Sequence, residues 1–185
     1  DMSTYDNYPQ HDLINRWRLV KKDPDADLSE PVEPIVFWVE KSTPEEIKPM
    51  VVKGIEAWNY AFERAGFKNA VVAKIQPDDA EWDAGDIRYN VVRWSSSPEP
   101  GFSGYGPSIG NPRTGELIAA DIVQEFNAIK RGYNYRKIWG WTPESDPLEQ
   151  WIVSLTMHEV GHTIGLRHNF SASYLWGPKE VHDIN

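Results

Sequence analysis

One stretch, residues 156–170 (TMHEVGHTIGLRHNF), constrains this chain more than any other. His158 and His162 are four positions apart. On an α-helix that spacing sets both imidazoles on one face, one turn apart. There they can share one metal ion at about 2.0–2.1 Å each. Glu159, next to the first histidine, is too close in sequence to ligate the same ion without breaking the helix. Its chemistry is instead that of a general base beside the metal. Gly165 follows His162 by three residues and suits a positive φ, so it predicts a sharp helix end. That turn would bring His168 back as the third ligand. Three protein ligands leave one coordination position open, the arrangement of a catalytic zinc rather than a structural one. The bland alternative is a buried helix whose histidines are satisfied by hydrogen bonds. Three of the chain's five histidines fall in this window, and Gly165 and His168 at fixed offsets argue against coincidence.

The pattern HExxHxxGxxH is the metzincin signature. The stretch resembles the active-site helix and turn of metzincin zinc endopeptidases. The longer wording HEVGHTIGLRHNF, with SGYGPSIGNPRTGELIAADIV upstream, is similar to the bacterial Met-zincin domain of large secreted or envelope-associated zinc-dependent metalloproteases. The resemblance runs from about residue 34 to residue 170. It implies an α/β (α+β) catalytic domain: a mixed, twisted sheet of four to five strands, a long packing helix and an active-site helix. It further implies a zinc-dependent endopeptidase with one catalytic Zn2+, a protein or peptide substrate, and a secreted or cell-envelope location.

In metzincins the edge strand of the sheet lies antiparallel to bound substrate, above the active-site helix. The resemblance therefore puts residues 104–109 at that edge and makes Gly104, Tyr105 and Gly106 candidate substrate-binding residues. Tyr105 and Tyr174 are both available as oxyanion partners. A methionine turn is implied downstream of the third histidine. Met2, Met50 and Met157 all precede His168, so the turn either lies beyond Asn185, in a longer parent protein with a further C-terminal subdomain, or is lacking; the first is the expectation. The runner-up reading is a catalytically silent module that holds a protein or a glycan on the same fold. A silent module has no chemical need for Glu159, which favours the enzyme. Zinc hydrolysis of a non-peptide amide or ester is a third reading that the motif permits.

The net charge of −9 argues against non-specific binding to nucleic acid or to an anionic membrane, since both need a basic face. No apolar run is long enough to span a bilayer. Cysteine is absent, so there is no disulfide framework. Nine tryptophans suggest a carbohydrate platform at first sight. They are scattered through apolar patterns, which fits core and cleft walls better. Asp78, Asp79, Asp83 and Asp86 crowd an acidic loop that could hold Ca2+. No EF-hand spacing is present, so a solvated loop is the expectation.

In chain order, residues 1–10 are polar and expected to be poorly ordered. Residues 17–21 suggest a short strand, and 22–34 are acidic, proline-rich and aperiodic. Residues 1–34 thus read as an extension or linker, 35–170 as the catalytic domain, and 171–185 as an irregular tail opening the next subdomain. Strands are expected at 35–40, 70–75, 86–94 and 117–123, the last closing a hairpin through Asn111-Pro112-Arg113-Thr114-Gly115. A long amphipathic helix is predicted over 44–65, capped by Thr43, Pro44 and Glu46 and closed by Gly66. Residues 125–139 are ambiguous between helix and irregular structure. The metal helix is predicted over 147–164.

Overall fold

In this computed structural model the described residues are 13–138, 148–169, 171, 174–177 and 180. The expectation for residues 1–10, the first residue of the helix predicted over 147–164 and most of the tail expected at 171–185 lie outside them.

The β-branched and aromatic run IVFWV forms β1 (Ile35–Val39), with alternate residues buried. It is flanked by β2 (Val71–Ile75) and β3 (Asn90–Ser95), both parallel to it. The long strand β6 (Leu117–Glu125) continues the parallel order beside β3. On its other side β6 carries two short antiparallel pieces, β4 (Gly104–Tyr105) and β5 (Ser108–Gly110). The sheet order is β2-β1-β3-β6-β4, with β5 also on β6. It is a mixed six-stranded sheet rather than one of four to five. The extra strand arises because the edge is broken between Tyr105 and Ser108. Pro107 there has no amide to donate, and only its carbonyl bonds across, to the amide of Asp121.

Two helical segments follow β1: α1 (Lys48–Glu56) and α2 (Asn59–Arg64). The single helix expected over 44–65 is interrupted at Ala57-Trp58, where ψ is only −26° and −20°, closer to a 3₁₀ turn. Trp58 is held there from outside: its indole N–H donates to the Met157 carbonyl at 2.9 Å. The start of the helix also moves. Pro49, within the first helical residues, lacks an amide, and no side chain caps Ile47. Gly66, at φ +88°, ends the pair as a glycine can.

Residues 126–138 resolve the ambiguity as helix α3 (Phe126–Ile138). The third strand begins four residues later than expected, because Asp86 turns the chain by accepting the amide and guanidinium of Arg88. The final helix is α4 (Leu148–Thr163).

The core lies between one sheet face and the helices. Phe37, Val39, Val92 and Ile122 from the sheet meet Val51 and Ile55 of α1 and Ile152 and Val160 of α4, all almost fully buried. Burial of this kind is worth about 1.5–3 kcal/mol per large side chain. Two glycines let α4 approach closely. A Cβ on Gly54 would stand 2.5 Å from Thr156 Cβ, and one on Gly161 would stand 3.0 Å from the Trp58 ring.

Residues 13–34 rest on this same body. Trp17 and Leu19 pack against the core, and single bridges tie Arg16 to Glu116, Lys21 to Pro31 and Ser29 to Phe67. The strand suggested at 17–21 is absent; only such single bridges form there. None of the described helices is long and apolar enough to cross a membrane.

Candidate metal centre

Helix α4 divides its two faces by the 3.6-residue period. Ile152, Thr156, Glu159, Val160 and Thr163 are buried, while His158 and His162 stand on the adjoining open rim. The helix then ends by a Schellman turn. The amide of Leu166 donates to Gly161 O and that of Gly165 to His162 O, with Gly165 at φ +104°. Three residues on, His168 has returned beside the first two histidines.

The three Nε2 atoms form a nearly equilateral triangle: 3.0 Å from His158 to His168, and 3.1 Å from His162 to each of the others. Nitrogens sharing one tetrahedral cation at about 2.0–2.1 Å lie about 3.3 Å apart, so the triangle is of metal-site size. Hydrogen bonding alone does not account for it. A ring nitrogen is either donor or acceptor. In a triangle two corners must therefore play the same role, and one edge at least is unpaired. His162 Nδ1 lies 3.0 Å from Leu166 O. A carbonyl only accepts, so Nδ1 carries the proton and, in the neutral ring, Nε2 presents its lone pair. A shared cation satisfies all three, and the donor set of three imidazoles suits zinc. Among the described residues these three histidines form a group whose ligand atoms all lie within 4.8 Å of one another.

Glu159 sits directly beside the triangle and is only 5% exposed. Burial pushes its carboxyl above the ordinary value, while the charges of His162 and His168 pull the other way. The edge strand closes over it. A Cβ on Gly104 would meet Glu159 Oε1 at 2.7 Å, and one on Gly106 would meet Glu159 O at 2.6 Å. The missing side chains at 104 and 106 are therefore what let β4 lie on the helix. They also fix the direction of Tyr105. Side chains alternate along a strand, so Tyr105 points away from Glu159; it is 58% exposed and lies against Phe102. Tyr174 is 91% exposed.

Sequence reading had no pattern with which to find three other contributors. Gly54 and Trp58 seat α4 through close approach and a hydrogen bond. Trp17 reaches the end of the metal helix, its indole N–H donating to Thr163 O at 2.9 Å across 146 positions of chain.

Residues 144–185 match the model of a family described as Met-zincin. With the mixed sheet and the helices on it, the match supports a metzincin-type zinc metalloprotease domain. No curated protein and no solved structure matches the chain.

Proposed function

We propose that this domain hydrolyses peptide bonds, with zinc held by His158, His162 and His168 and Glu159 as the general base. The observation that carries the reading is the pairing of the Nε2 triangle with a nearly buried carboxylate on the adjacent residue. Zinc in such a site supplies Lewis acidity and lowers the pKa of water towards neutrality. Glu159 takes a proton from the attacking water and returns it to the leaving amine. Its partial desolvation raises its proton affinity, which suits both halves of that task.

A peptide substrate is favoured by the edge. Among the described residues β4 pairs only with β6, so its outer side offers backbone groups to an added strand. Gly104 and Gly106 bring that edge onto Glu159, and Tyr105, facing outward, would line the groove. An extended chain laid there has its backbone beside the carboxylate.

The test is Glu159→Gln in the zinc-loaded protein against a mixed peptide library. The variant is expected to keep its zinc and to lose about 10²–10⁴-fold in hydrolysis. Undiminished cleavage by the variant would sink the mechanism.

A further inference from the structure

The end of α4 is held from outside as well as from within. Of its last four carbonyls, Val160 O accepts the amide of Ile164, Gly161 O that of Leu166, and His162 O that of Gly165. The fourth, Thr163 O, accepts the indole N–H of Trp17. A helix end leaves such carbonyls to be satisfied from elsewhere, and here the partner lies on residues 14–17. The same segment touches the turn itself. A Cβ on Gly165 would stand 2.1 Å from the carbonyl oxygen of Asn15. Segment 14–17 is in turn fastened to the sheet. The amide of Arg16 donates to Gly115 O at 3.1 Å, and Arg16 O accepts the amide of Leu117 at 2.9 Å. At the hairpin turn, Gly115 lies against Ile14 O, which would be 2.3 Å from a Cβ there.

We infer that Trp17 is a positioning residue for the third metal ligand. Segment 14–17 is a strut between the start of β6 and the Gly165 turn, and it sets where His168 stands relative to His158 and His162. The inference rests on the reading that these three histidines hold zinc. His158 and His162 are placed by one helix that the core already fixes. His168 lies beyond the turn, so its position depends on what stops the turn from swinging. The helix's own Schellman bonds shape the turn locally. The strut adds a tie to the start of β6, beside the packing of Ile164 on the core. Loss of the Trp17 N–H should therefore weaken the metal site more than it weakens the fold.

The experiment measures zinc affinity of the 185-residue protein by competition with a chromophoric chelator, and the visible spectrum after Co2+ substitution. Trp17→Phe keeps an aromatic ring and removes the donor. Trp82→Phe, on the opposite sheet face in the stack with Tyr89, serves as the control for general destabilisation. Trp17→Phe is expected to bind zinc about 10–100-fold more weakly, the range seen when groups that orient metal ligands are removed. It should also give an altered cobalt spectrum, while Trp82→Phe matches the wild type in both. Arg16→Pro, which deletes the amide bonded to Gly115 O, cuts the strut at its other end. It should reproduce the effect, and it carries the test if Trp17→Phe is unfolded by circular dichroism. Wild-type zinc affinity and cobalt spectrum in a folded strut variant would overturn the inference. So would an equal loss in Trp82→Phe. A folded wild-type protein that takes up no zinc would overturn the metal reading itself, and this inference with it.

Discussion

His162 Nδ1 lies 3.0 Å from the carbonyl oxygen of Leu166, four residues further along the chain. The turn that returns the chain towards the metal site thus also orients one of its ligands. A ring held in this way has one nitrogen committed and one free to ligate.

Metal should consequently stabilise the fold, because a ligand that binds only the native state raises its stability by mass action. Thermal unfolding with and without a strong chelator checks this. The zinc-loaded protein is expected to lose several degrees on chelation, since each kcal/mol shifts a domain of this size by about 2–4 °C. His162→Ala should unfold at the same temperature in either condition. A chelator effect that persists in His162→Ala would place the metal elsewhere.

The two glycines over Glu159 should differ in cost when replaced by alanine. At position 106 the nearest obstacle is backbone, the carbonyl of Glu159. At position 104 it is the tip of the Glu159 side chain, which can shift. Gly106→Ala is expected to cost about 1–3 kcal/mol, as overpacking does, and Gly104→Ala less. Hydrolysis should suffer in both, because Gly106→Ala pushes the edge strand off the helix and Gly104→Ala displaces the Glu159 carboxylate itself. Urea midpoints in the opposite order would contradict this contact geometry.

Where α4 crosses the sheet, Gln124 donates from Nε2 to Thr156 Oγ1 at 2.7 Å, and Thr156 donates to Ile152 O. Both side chains are fully buried, and among the described residues Gln124 Oε1 has no hydrogen-bond partner. Removing the glutamine removes an unmet acceptor, whereas removing the threonine hydroxyl strands a buried donor. Thr156→Val should therefore cost about 1–3 kcal/mol. Gln124→Met should fall within about 1 kcal/mol of wild type. Equal losses in chemical denaturation would mean that Oε1 has a partner after all.

Glu125, at the end of β6, anchors the loop that leads into the edge strand. Burial favours its neutral form, but the amide and hydroxyl of Ser97 and the side chain of Ser95 outweigh this and hold its carboxyl below the ordinary value. A folded value below the unfolded one, about 4.3, means that the charged form stabilises the fold. That stability is complete above the unfolded value and is lost as pH falls through the folded one. Glu125→Gln should be less stable than wild type at neutral pH, and the gap should close on acidification. A gap that stays constant down to acid pH would show that the charge contributes nothing.

Much of this arrangement is visible in local sequence periods. The meeting of His158 and His162 needs only the helical repeat, and the turn after them needs only a glycine in the right place. The strands of the core announce themselves in runs such as IVFWV. What local periods do not contain is contact across distance. Nothing in the sequence around Trp17 says that its indole lies at the end of α4, so residues 1–34 read as an extension or linker. Nothing around Ala57 says that Trp58 will be held by Met157 and break a long helix in two. Tyr105 is a candidate oxyanion partner until Gly104 and Gly106 are seen to face Glu159, which turns the tyrosine outward. In each case the deciding fact is a neighbour dozens of residues away.

The hairpin turn at residues 111–115 is the kind of surface loop where chains ordinarily accept extra residues without harm. In this fold it is not a free end. Gly115 O receives the amide of Arg16, and the next residues along receive the strut that reaches the metal turn. A longer loop there would be felt at His168 before it was felt in the core. The length of this one turn is therefore part of what specifies the candidate metal centre, and a chain in which it is lengthened would have to hold its third histidine in another way.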